Sequence, residues 1–381
     1  MRISEALQRR RLLLDGAMGT MVQERGLGET DFRGSVCPDC GIQMKGNNDI
    51  LVLTRPDVVG DIHYAYLEAG ADIITTDTFS AQRVSQHEYM LEAKVADINR
   101  AAVRIARDAV RRFETAHPET AGTHYILGDV GPTSRMLSMS DDVTDPAARS
   151  ITFDELCNAY AEQMTALMEE GVDGILIETS FDTLNVKAAI AAYERTKEKL
   201  ATQRAAGCDT ELIISMTISD ASGRILSGQT IEAFVETVMY ARPLAVGLNC
   251  GMGAGAMVPY LRRMREAAAG RCYISCHPNA GLPNQMGQYD DTPEDMERQM
   301  TPFVEEGLAD IIGGCCGTTP MHTSRMRALC DKHSGTYRGN KDRLAEKTEP
   351  ETLTLTGLEA FRYGSGDFVV VGERCNVAGS R

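Results

Sequence analysis

One junction recurs along this chain and constrains its fold more strongly than any other feature. Its three copies are residues 67–74 (LEAGADII), 168–176 (MEEGVDGIL) and 304–312 (VEEGLADII). Each copy has the end of a helix, a glycine suited to a helix C-cap, a short turn and then a strand rich in β-branched residues. Because helices and strands alternate in this way, we predict a wound α/β fold with a parallel sheet.

Eight segments have the composition of buried strands and are separated by stretches of helix length. They are residues 12–15, 73–77, 125–129, 174–178, 212–217, 246–250, 272–277 and 310–314. Eight such units predict a (β/α)8 TIM-type barrel over residues 1–330. A doubly wound open sheet would give the same alternation, but no G-x-G-x-x-G motif follows the first segment, which disfavours a dinucleotide-binding domain.

The overall composition excludes several classes of function. The 39 basic and 54 acidic residues give a net charge of -15, which argues against a surface for nucleic acid or for an anionic membrane. No apolar run is long enough for a transmembrane helix, and the first residues lack the pattern of a signal peptide. The 11 cysteines favour free thiols and metal ligation in a reducing cytosol over a disulfide framework. We therefore expect a cytoplasmic protein.

Two adjacent cysteines, Cys315 and Cys316, follow the last predicted strand and are flanked by glycines. Neighbouring side chains of a strand point to opposite faces, so the glycines are expected to let the backbone leave the strand and turn both sulfurs toward one point. Cys250 ends the sixth predicted strand and would lie at the same C-terminal rim of a barrel. Three thiolates with one open position predict a reactive zinc site, because a structural zinc site would have four protein ligands. The alternatives are buried free cysteines or a vicinal disulfide at 315–316.

Two acidic residues also end strands at this predicted rim, Asp15 in the first strand and Glu178 in the fourth. Gly16 and Gly19 would let the backbone approach a ligand, with exposed N–H groups suited to a carboxylate. Acids for an ammonium group and amides for a carboxylate indicate an α-amino acid as the ligand. A helix cap or a salt bridge is the alternative role for either acid taken alone.

Four further polar residues end predicted strands. Asp77 and Asp129 could line the pocket, but we favour a structural role for both. His277 is expected to be a packed, hydrogen-bonded histidine. Asn279, two residues later, could reach the open zinc position when substrate is absent.

Two regions stand apart from the barrel pattern. Cys37 and Cys40 have the spacing of a metal knuckle, but no second pair lies nearby, and a surface loop is favoured over a second metal site. Residues 331–367 begin with a charged and polar stretch and are predicted to be a linker or a surface-crossing segment. Residues 368–374 (FVVVGER) are typical of a strand, and residues 368–381 are predicted to begin another, truncated domain.

Several motifs resemble those of the homocysteine S-methyltransferase family. They are residues 15–20 (DGAMGT), 45–49 (KGNND), 217–224 (TISDASGR), 247–250 (GLNC), 277–283 (HPNAGLP) and 313–320 (GGCCGTTP). The resemblance extends over nearly the whole of residues 1–330. It implies that Cys250, Cys315 and Cys316 are zinc ligands.

The same resemblance implies a pocket for L-homocysteine beside the zinc. Asp15 and Glu178 fall where the family holds the amino group of this substrate. The backbone amides of Gly16 and Ala17 fall where the family holds its carboxylate. The residues implied to line the pocket are Asn249 and Asn279.

The chemistry implied by the resemblance is activation of the substrate sulfur. Zinc deprotonates a coordinated thiol, and three anionic ligands would keep the homocysteine sulfur nucleophilic, so no protein nucleophile is required. Residues 371–380 resemble the opening of a folate-binding (pterin-binding) module. The implied methyl donor is therefore methylcobalamin, supplied by cobalamin- and folate-binding modules of a longer protein, with the methyl group originating from 5-methyltetrahydrofolate. The implied product is methionine.

Three alternatives share parts of this pattern. A stand-alone homocysteine S-methyltransferase that uses S-methylmethionine or betaine would have the same barrel residues. A non-catalytic zinc module would bind the metal but would unfold when it is removed. A metal-free thiol redox protein would use the cysteines without zinc, and one zinc per chain would exclude it.

Overall fold

Eight parallel strands form a nearly closed barrel in the computed structural model, which describes residues 1–38, 41–140, 142, 144–145, 147–203, 209–218, 220–337, 339, 352–364 and 366–372. The strand order is β1-β8-β7-β6-β5-β4-β3-β2, and a parallel bridge between Leu14 and Ile73 joins the first strand to the second. The strands are β1 Leu12–Leu13, β2 Ile73–Thr75, β3 Tyr125–Val130, β4 Gly174–Ser180, β5 Glu211–Met216, β6 Ala245–Gly253, β7 Tyr273–Asn279 and β8 Ile311–Ile312. The predicted (β/α)8 barrel is confirmed.

Helices lie between the strands, as the alternation predicts. They are α1 Ile3–Leu7, α2 Met18–Glu24, α3 Glu29–Arg33, α4 Leu51–Thr54, α5 Pro56–Glu68, α6 Arg83–Gln86, α7 Val95–Ala116, α8 Phe153–Glu169, α9 Thr183–Gln203, α10 Ile231–Val238, α11 Ala254–Ala268, α12 Pro293–Glu305 and α13 Pro320–Lys332. The glycines of the three repeated junctions, Gly70, Gly171 and Gly307, have φ values of 95°, 85° and 65°. Each therefore occupies the left-handed region that ends a helix before the following strand.

The strand bounds differ most from prediction at β1 and β8. Both have only two residues, whereas the predicted segments continue to Asp15 and Gly314. Gly313 and Gly314 leave the ladder after Ile312, and Leu14 makes only the single bridge to β2. The chain is thus released from the sheet just before the residues with candidate chemical roles.

The N-terminal end of the barrel is packed with apolar side chains. Ile3 and Leu7 of α1 are fully buried against interior residues such as Leu12, Leu127 and Ile213. Burying an aliphatic side chain of this size contributes roughly 1.5–3 kcal/mol to folding stability, so apolar packing closes this end of the barrel. Polar chemistry is thereby left to the C-terminal ends of the strands, as is usual for this fold.

The segment predicted to be a linker contains a hairpin formed by β9 Thr352–Thr356 and β10 Ala360–Gly364. It contacts the barrel at α10: the Thr230 amide donates to the Leu358 carbonyl, and Arg362 lies 2.6 Å from Glu236. The predicted strand at residues 368–374 is wrong for residues 368–372, which have no strand partner among the described residues. An apolar run alone does not form a strand without a neighbouring edge, and Phe368 is 92% exposed. Residues 373–381, on which the prediction of a further domain depends, lie outside the described residues.

Among the described residues, no helix combines the length and the apolar character needed to cross a bilayer.

Candidate functional site

Three cysteine sulfurs lie together at the C-terminal rim of the barrel. The Sγ atoms of Cys250 and Cys316 are 4.0 Å apart, those of Cys315 and Cys316 are also 4.0 Å apart, and all three lie within 4.8 Å of one another. Within the described ranges, this is the one group of three or more His, Cys, Asp or Glu side chains with such spacing. The three cysteines are free and half-buried, so the structure has no vicinal disulfide at 315–316.

Backbone conformations that side chains rarely adopt bring these sulfurs together. Cys250 has a φ of 55°, and Gly251 after it has a φ of 71°, so β6 kinks at its end. On the other strand, a Cβ atom at Gly314 would lie 2.4 Å from Thr318 Oγ1. The glycine framing of the cysteines is therefore a steric requirement of the turn.

Hydrogen bonding within this cluster favours one thiolate. Hydrogen bonds with Cys250 and Cys315 lower the pKa of Cys316 to about 3. Hydrogen bonds with Cys250 and Cys316, followed by burial, raise the pKa of Cys315 well above its usual value. One thiolate is thus stabilised by the two remaining thiols near neutral pH, and a thiolate is the form of cysteine that binds metals.

The cysteines open into a cavity of about 1240 Å³ at the strand ends. Nine acidic residues line it, and the described lining residues include neither lysine nor arginine. The acids are Asp15, Glu24, Asp49, Asp77, Glu88, Asp129, Glu178, Asp290 and Asp291. A cavity of this composition favours a ligand with a positively charged group.

Asp15 is buried on the wall of this cavity. It accepts hydrogen bonds from the Thr75 amide at 2.9 Å and the Thr75 hydroxyl at 3.1 Å. Burial nevertheless raises the pKa of Asp15 to about 8, with the charge of Glu178 adding to the rise. A bound cation would reverse this effect and restore the carboxylate.

Glu178 lines the same cavity and is held in place by contacts with His277 and Asn249. Its Oε2 atom lies 2.8 Å from His277 Nε2 and accepts a hydrogen bond from Asn249 Nδ2 at 3.3 Å. Asn249 is fully buried and also accepts hydrogen bonds from the Thr179 amide and the Ser215 hydroxyl through its Oδ1 atom. His277 is packed and hydrogen-bonded, as the sequence predicts.

The predicted carboxylate-binding loop has one amide that is already engaged. Gly16 and Ala17 both line the cavity, but the Ala17 N–H donates to Thr318 Oγ1 at 3.1 Å. The Tyr66 hydroxyl donates to the carbonyls of Ala17 and Thr318 at 3.1 and 3.2 Å. The loop after β1 and the loop after β8 are therefore tied together by buried hydrogen bonds.

Asn249 and Asn279 are buried just behind the cavity lining, and their roles toward the substrate stay predictions. Asn249 lies beneath Glu178, because its hydrogen bonds to Glu178 and Thr179 of β4 and to Ser215 of β5 reach across the barrel interior. Asn279, the last residue of β7, is 3% exposed, and its Oδ1 atom has no hydrogen-bond partner in the described part of the chain. A buried acceptor without a donor is costly unless a ligand supplies the missing contact.

Three aspartates form a further part of the wall. Asp77 and Asp129, for which a structural role was favoured, both line the cavity, and each has one carboxylate oxygen without a hydrogen-bond partner among the described residues. Burial raises the pKa of both well above the usual value. Asp49 was missed, although it lies in the motif at residues 45–49; it accepts from the Ser80 amide, and burial raises its pKa to about 7.

Tyr289, which the sequence did not single out, lines the cavity beside the cysteines. Cys37 is disulfide-bonded and lies away from the cavity lining. Cys40 lies outside the described residues, so the prediction of a surface loop rather than a second metal site stays a prediction.

Comparisons with known proteins point to one family. A sequence model of the homocysteine S-methyltransferase family matches residues 12–330. The homocysteine methyltransferase MmuM from Escherichia coli has a similar fold in its oxidised form, with 21% sequence identity, a TM-score of 0.63 and coverage of 84% of this chain and 95% of that chain. The metallated form of MmuM has 20% sequence identity and a TM-score of 0.64, and the apo form has 20% identity and a TM-score of 0.60. Each of these two matches covers 86% of this chain and 98% of the MmuM chain.

At such identities the structural likeness establishes a shared fold and no more. The family model, however, spans most of the chain and includes the loop at Asp15 as well as all three clustered cysteines. This chain belongs to the homocysteine S-methyltransferase family.

Proposed function

We propose that this chain binds Zn²⁺ and L-homocysteine and transfers a methyl group to the homocysteine sulfur to give methionine. We further propose that it acts as the homocysteine module of a cobalamin-dependent methionine synthase, with methylcobalamin as the methyl donor. The observation that carries the proposal is the convergence of three cysteine sulfurs and the Asp15 and Glu178 carboxylates on one cavity.

The residues present fit zinc. Cys250, Cys315 and Cys316 offer three soft donors, which zinc accepts readily, and family membership supports this assignment. The unpartnered Oδ1 atom of Asn279 fits a fourth ligand in the absence of substrate. When bound, zinc supplies Lewis acidity that lowers the pKa of a substrate thiol, so that homocysteine reacts as a thiolate at neutral pH. The metallated form of MmuM supports a metal in the same fold.

The acids on the wall would hold the ammonium group of homocysteine. Asp15 is largely protonated at neutral pH without a ligand, and an adjacent ammonium would lower its pKa toward the usual range. Glu178 is fixed by His277 and Asn249, so its carboxylate is oriented before the substrate arrives. Charge-assisted hydrogen bonds to two carboxylates would fix the substrate backbone and leave its sulfur to reach the cysteine cluster.

The substrate carboxylate would bind at the loop that precedes α2. The Gly16 amide lies on the cavity wall at this loop. The Ala17 amide contributes only if its hydrogen bond to Thr318 opens, since Thr318 Oγ1 now occupies it. We therefore assign the larger part of carboxylate binding to Gly16.

Two donors are supported by different observations. Methylcobalamin is supported by the resemblance of residues 371–380 to the opening of a folate-binding module. A cationic donor such as S-methylmethionine or betaine, used by a stand-alone enzyme, is supported by a cavity lined by nine acids and, among its described lining residues, by neither lysine nor arginine. The cavity of about 1240 Å³ has room for a donor group beside the substrate.

The test is a zinc titration followed by calorimetry with L-homocysteine and a panel of three donors. We expect one zinc per chain, homocysteine binding that requires it, and methionine formation from methylcobalamin. Cys157→Ala is the matched control, because Cys157 is a buried free cysteine of α8 away from the cavity lining. Methionine formed only from S-methylmethionine or betaine would assign the stand-alone activity. Homocysteine binding that is indifferent to zinc would contradict the proposal.

A further inference from the structure

Strand β4 contains an extra residue near its C-terminal end, at the position of Glu178. Its pairing with β5 is regular up to Ile177 and is found again at Ser180, but β5 has only Ser215 between the two partners. Two residues of β4, Glu178 and Thr179, therefore stand opposite one residue of β5, which is the arrangement of a β-bulge. Thr179 has a φ of 54°, a conformation that β-branched residues rarely adopt. Such a conformation persists only where surrounding contacts hold it.

The side-chain amide of Asn249, in β6, supplies the contacts that hold this bulge. Its Oδ1 atom accepts hydrogen bonds from the Thr179 amide at 2.9 Å and from the Ser215 hydroxyl at 2.6 Å. Its Nδ2 atom donates to the Thr179 hydroxyl at 2.7 Å and to Glu178 Oε2 at 3.3 Å. An amide can form two hydrogen bonds through each of these atoms, so the hydrogen-bonding capacity of this fully buried side chain is filled. Three of the four bonds go to the two residues of the bulge.

Asn249 is also the residue of β6 that immediately precedes Cys250. It pairs with His277 of β7, and the register between β6 and β7 shifts directly after it. Its backbone carbonyl accepts a hydrogen bond from the Thr217 hydroxyl at 2.9 Å. A substitution that changes only the Asn249 side chain would keep this backbone contact, which anchors the chain just before Cys250.

We infer that Asn249 is a positioning residue that locks the β4 bulge and thereby gives the site its selectivity for a thiol with an amino group. The inference rests on the proposed function, in which Glu178 binds the ammonium group of homocysteine. Without the Asn249 amide, Thr179 would lose the partners of its N–H and hydroxyl groups and would no longer be held at a positive φ. A one-residue change of register reverses the face to which a strand side chain points, so loss of the bulge would displace the Glu178 carboxylate from the cavity wall.

The experiment measures the binding of two thiols to the zinc-loaded parent chain and to zinc-loaded Asn249→Leu by calorimetry. The thiols are L-homocysteine and 4-mercaptobutanoate, which is homocysteine without its amino group. Leucine also branches at Cγ but forms no hydrogen bonds. Asn185→Leu is the matched control, because Asn185 is a buried asparagine of α9 outside the cavity lining, and its amide bonds the backbone of Arg135 and Leu137.

We expect Asn249→Leu to bind homocysteine about 10-fold to 100-fold more weakly than the parent, the range that corresponds to one hydrogen bond to a charged group. Its affinity for 4-mercaptobutanoate should not change, because that thiol has no ammonium group for Glu178 to bind. Zinc should stay at one per chain, since the three clustered cysteines are all present. Asn185→Leu should keep the parent's preference for homocysteine over 4-mercaptobutanoate.

A merely structural asparagine would affect both thiols alike. Equal weakening of the two thiols in Asn249→Leu, or unchanged binding of both, would overturn the inference. Thr179→Val is the second variant if Asn249→Leu does not fold, because it removes only the hydroxyl that accepts from Asn249 Nδ2. It should lower the preference for homocysteine by a smaller factor, and an unchanged preference would overturn the inference. A zinc-loaded parent chain that binds neither thiol, or binds both equally, would instead overturn the proposed function, and the inference with it.

Discussion

The cavity has a sulfur side and an acid side, and the two are built differently. The sulfur side, Cys250, Cys315 and Cys316, is shaped by unusual backbone conformations and by glycines that leave no space for a Cβ atom. The acid side, which includes Asp15 and Glu178, is distinguished by the burial of carboxyl groups, although β4 is also irregular there and Thr179 has a φ of 54°. Both sides concentrate negative charge that requires a cation. In the proposed function, a metal would satisfy the sulfur side and the ammonium group of the substrate would satisfy the acid side.

The largest expected effect comes from removing one sulfur of the sulfur side. Cys316→Ala should lose bound zinc and methyl transfer together, each by more than about 100-fold, because a ligand matters more than its outer-shell partner. Zinc stoichiometry and product formation measure the two losses, and Cys157→Ala should retain both. Zinc at full occupancy in Cys316→Ala would refute the ligand assignment.

The reciprocal change is Asp15→Asn on the acid side. It should weaken homocysteine binding by about 10-fold to 100-fold, the loss expected for one hydrogen bond to a charged group of about 1.5–3 kcal/mol. Zinc stoichiometry should not change, because Asp15 is not one of the clustered sulfur ligands. Calorimetry on the zinc-loaded variant measures the effect, with the exposed Asp97→Asn as control. Loss of zinc in Asp15→Asn would show that the two sides are not separate.

In the absence of ligand, the acid side should make the free energy of unfolding depend on pH. Burial raises the pKa of Asp15 from 3.8 to about 8, so the folded state binds a proton that the unfolded state releases. The stability that this proton gives is complete below about pH 4 and is lost as pH rises toward 8. Asp15→Asn should remove this dependence, which is worth a few kcal/mol at pH 8.

Chemical denaturation at pH 5 and pH 8 measures that dependence. The wild-type chain should lose more free energy of unfolding between these two values than Asp15→Asn does. Equal losses in the two proteins would mean that Asp15 is ionised in the unliganded state, and that the acid side does not await a cation.

The sequence predicted the sulfur side well and the acid side only in part, for a physical reason. Cys315 and Cys316 could be identified because adjacent thiols between glycines have few structural roles. Asp77 and Asp129 could not, because an aspartate at a strand end serves equally well as a hydrogen-bonding residue. Asn249 was assigned to the pocket by family resemblance, which does not reveal that its amide is already engaged by Glu178, Thr179 and Ser215.

Contacts between distant parts of the chain were beyond any local pattern. The bond from the Ala17 amide to Thr318 spans 301 residues and exists only because the barrel closes β1 onto β8. The position of Tyr289 against Gly317 depends in the same way on the path of a loop between β7 and α12. Such contacts decide which amides are free and which side chains face the cysteines, so this part of the site could be described only from the structure.

Thr318 offers the smallest but most direct test of whether the two sides are independent. Thr318 is fully buried. Its Oγ1 atom accepts a hydrogen bond from the Ala17 amide, in the loop after β1, and donates one to the Cys315 carbonyl, in the loop after β8. A Cβ atom at Gly314 would collide with it, so Gly314→Ala should destabilise the chain by about 1–3 kcal/mol, as overpacking usually does. Gly335→Ala, where a Cβ atom would meet nothing within 4 Å, is the control.

A double-mutant cycle of Gly314→Ala with Thr318→Ala distinguishes a local steric clash from coupling between the two loops that Thr318 joins. If Thr318 links the loops, Gly314→Ala should weaken homocysteine binding as well as stability, and adding Thr318→Ala should cost less than the two changes summed. Free energies that add within about 0.5 kcal/mol, with homocysteine affinity unchanged in Gly314→Ala, would mean that the sulfur and acid sides are built independently. A coupled result would mean that one buried hydroxyl sets the distance between the clustered cysteines and the loop that precedes α2.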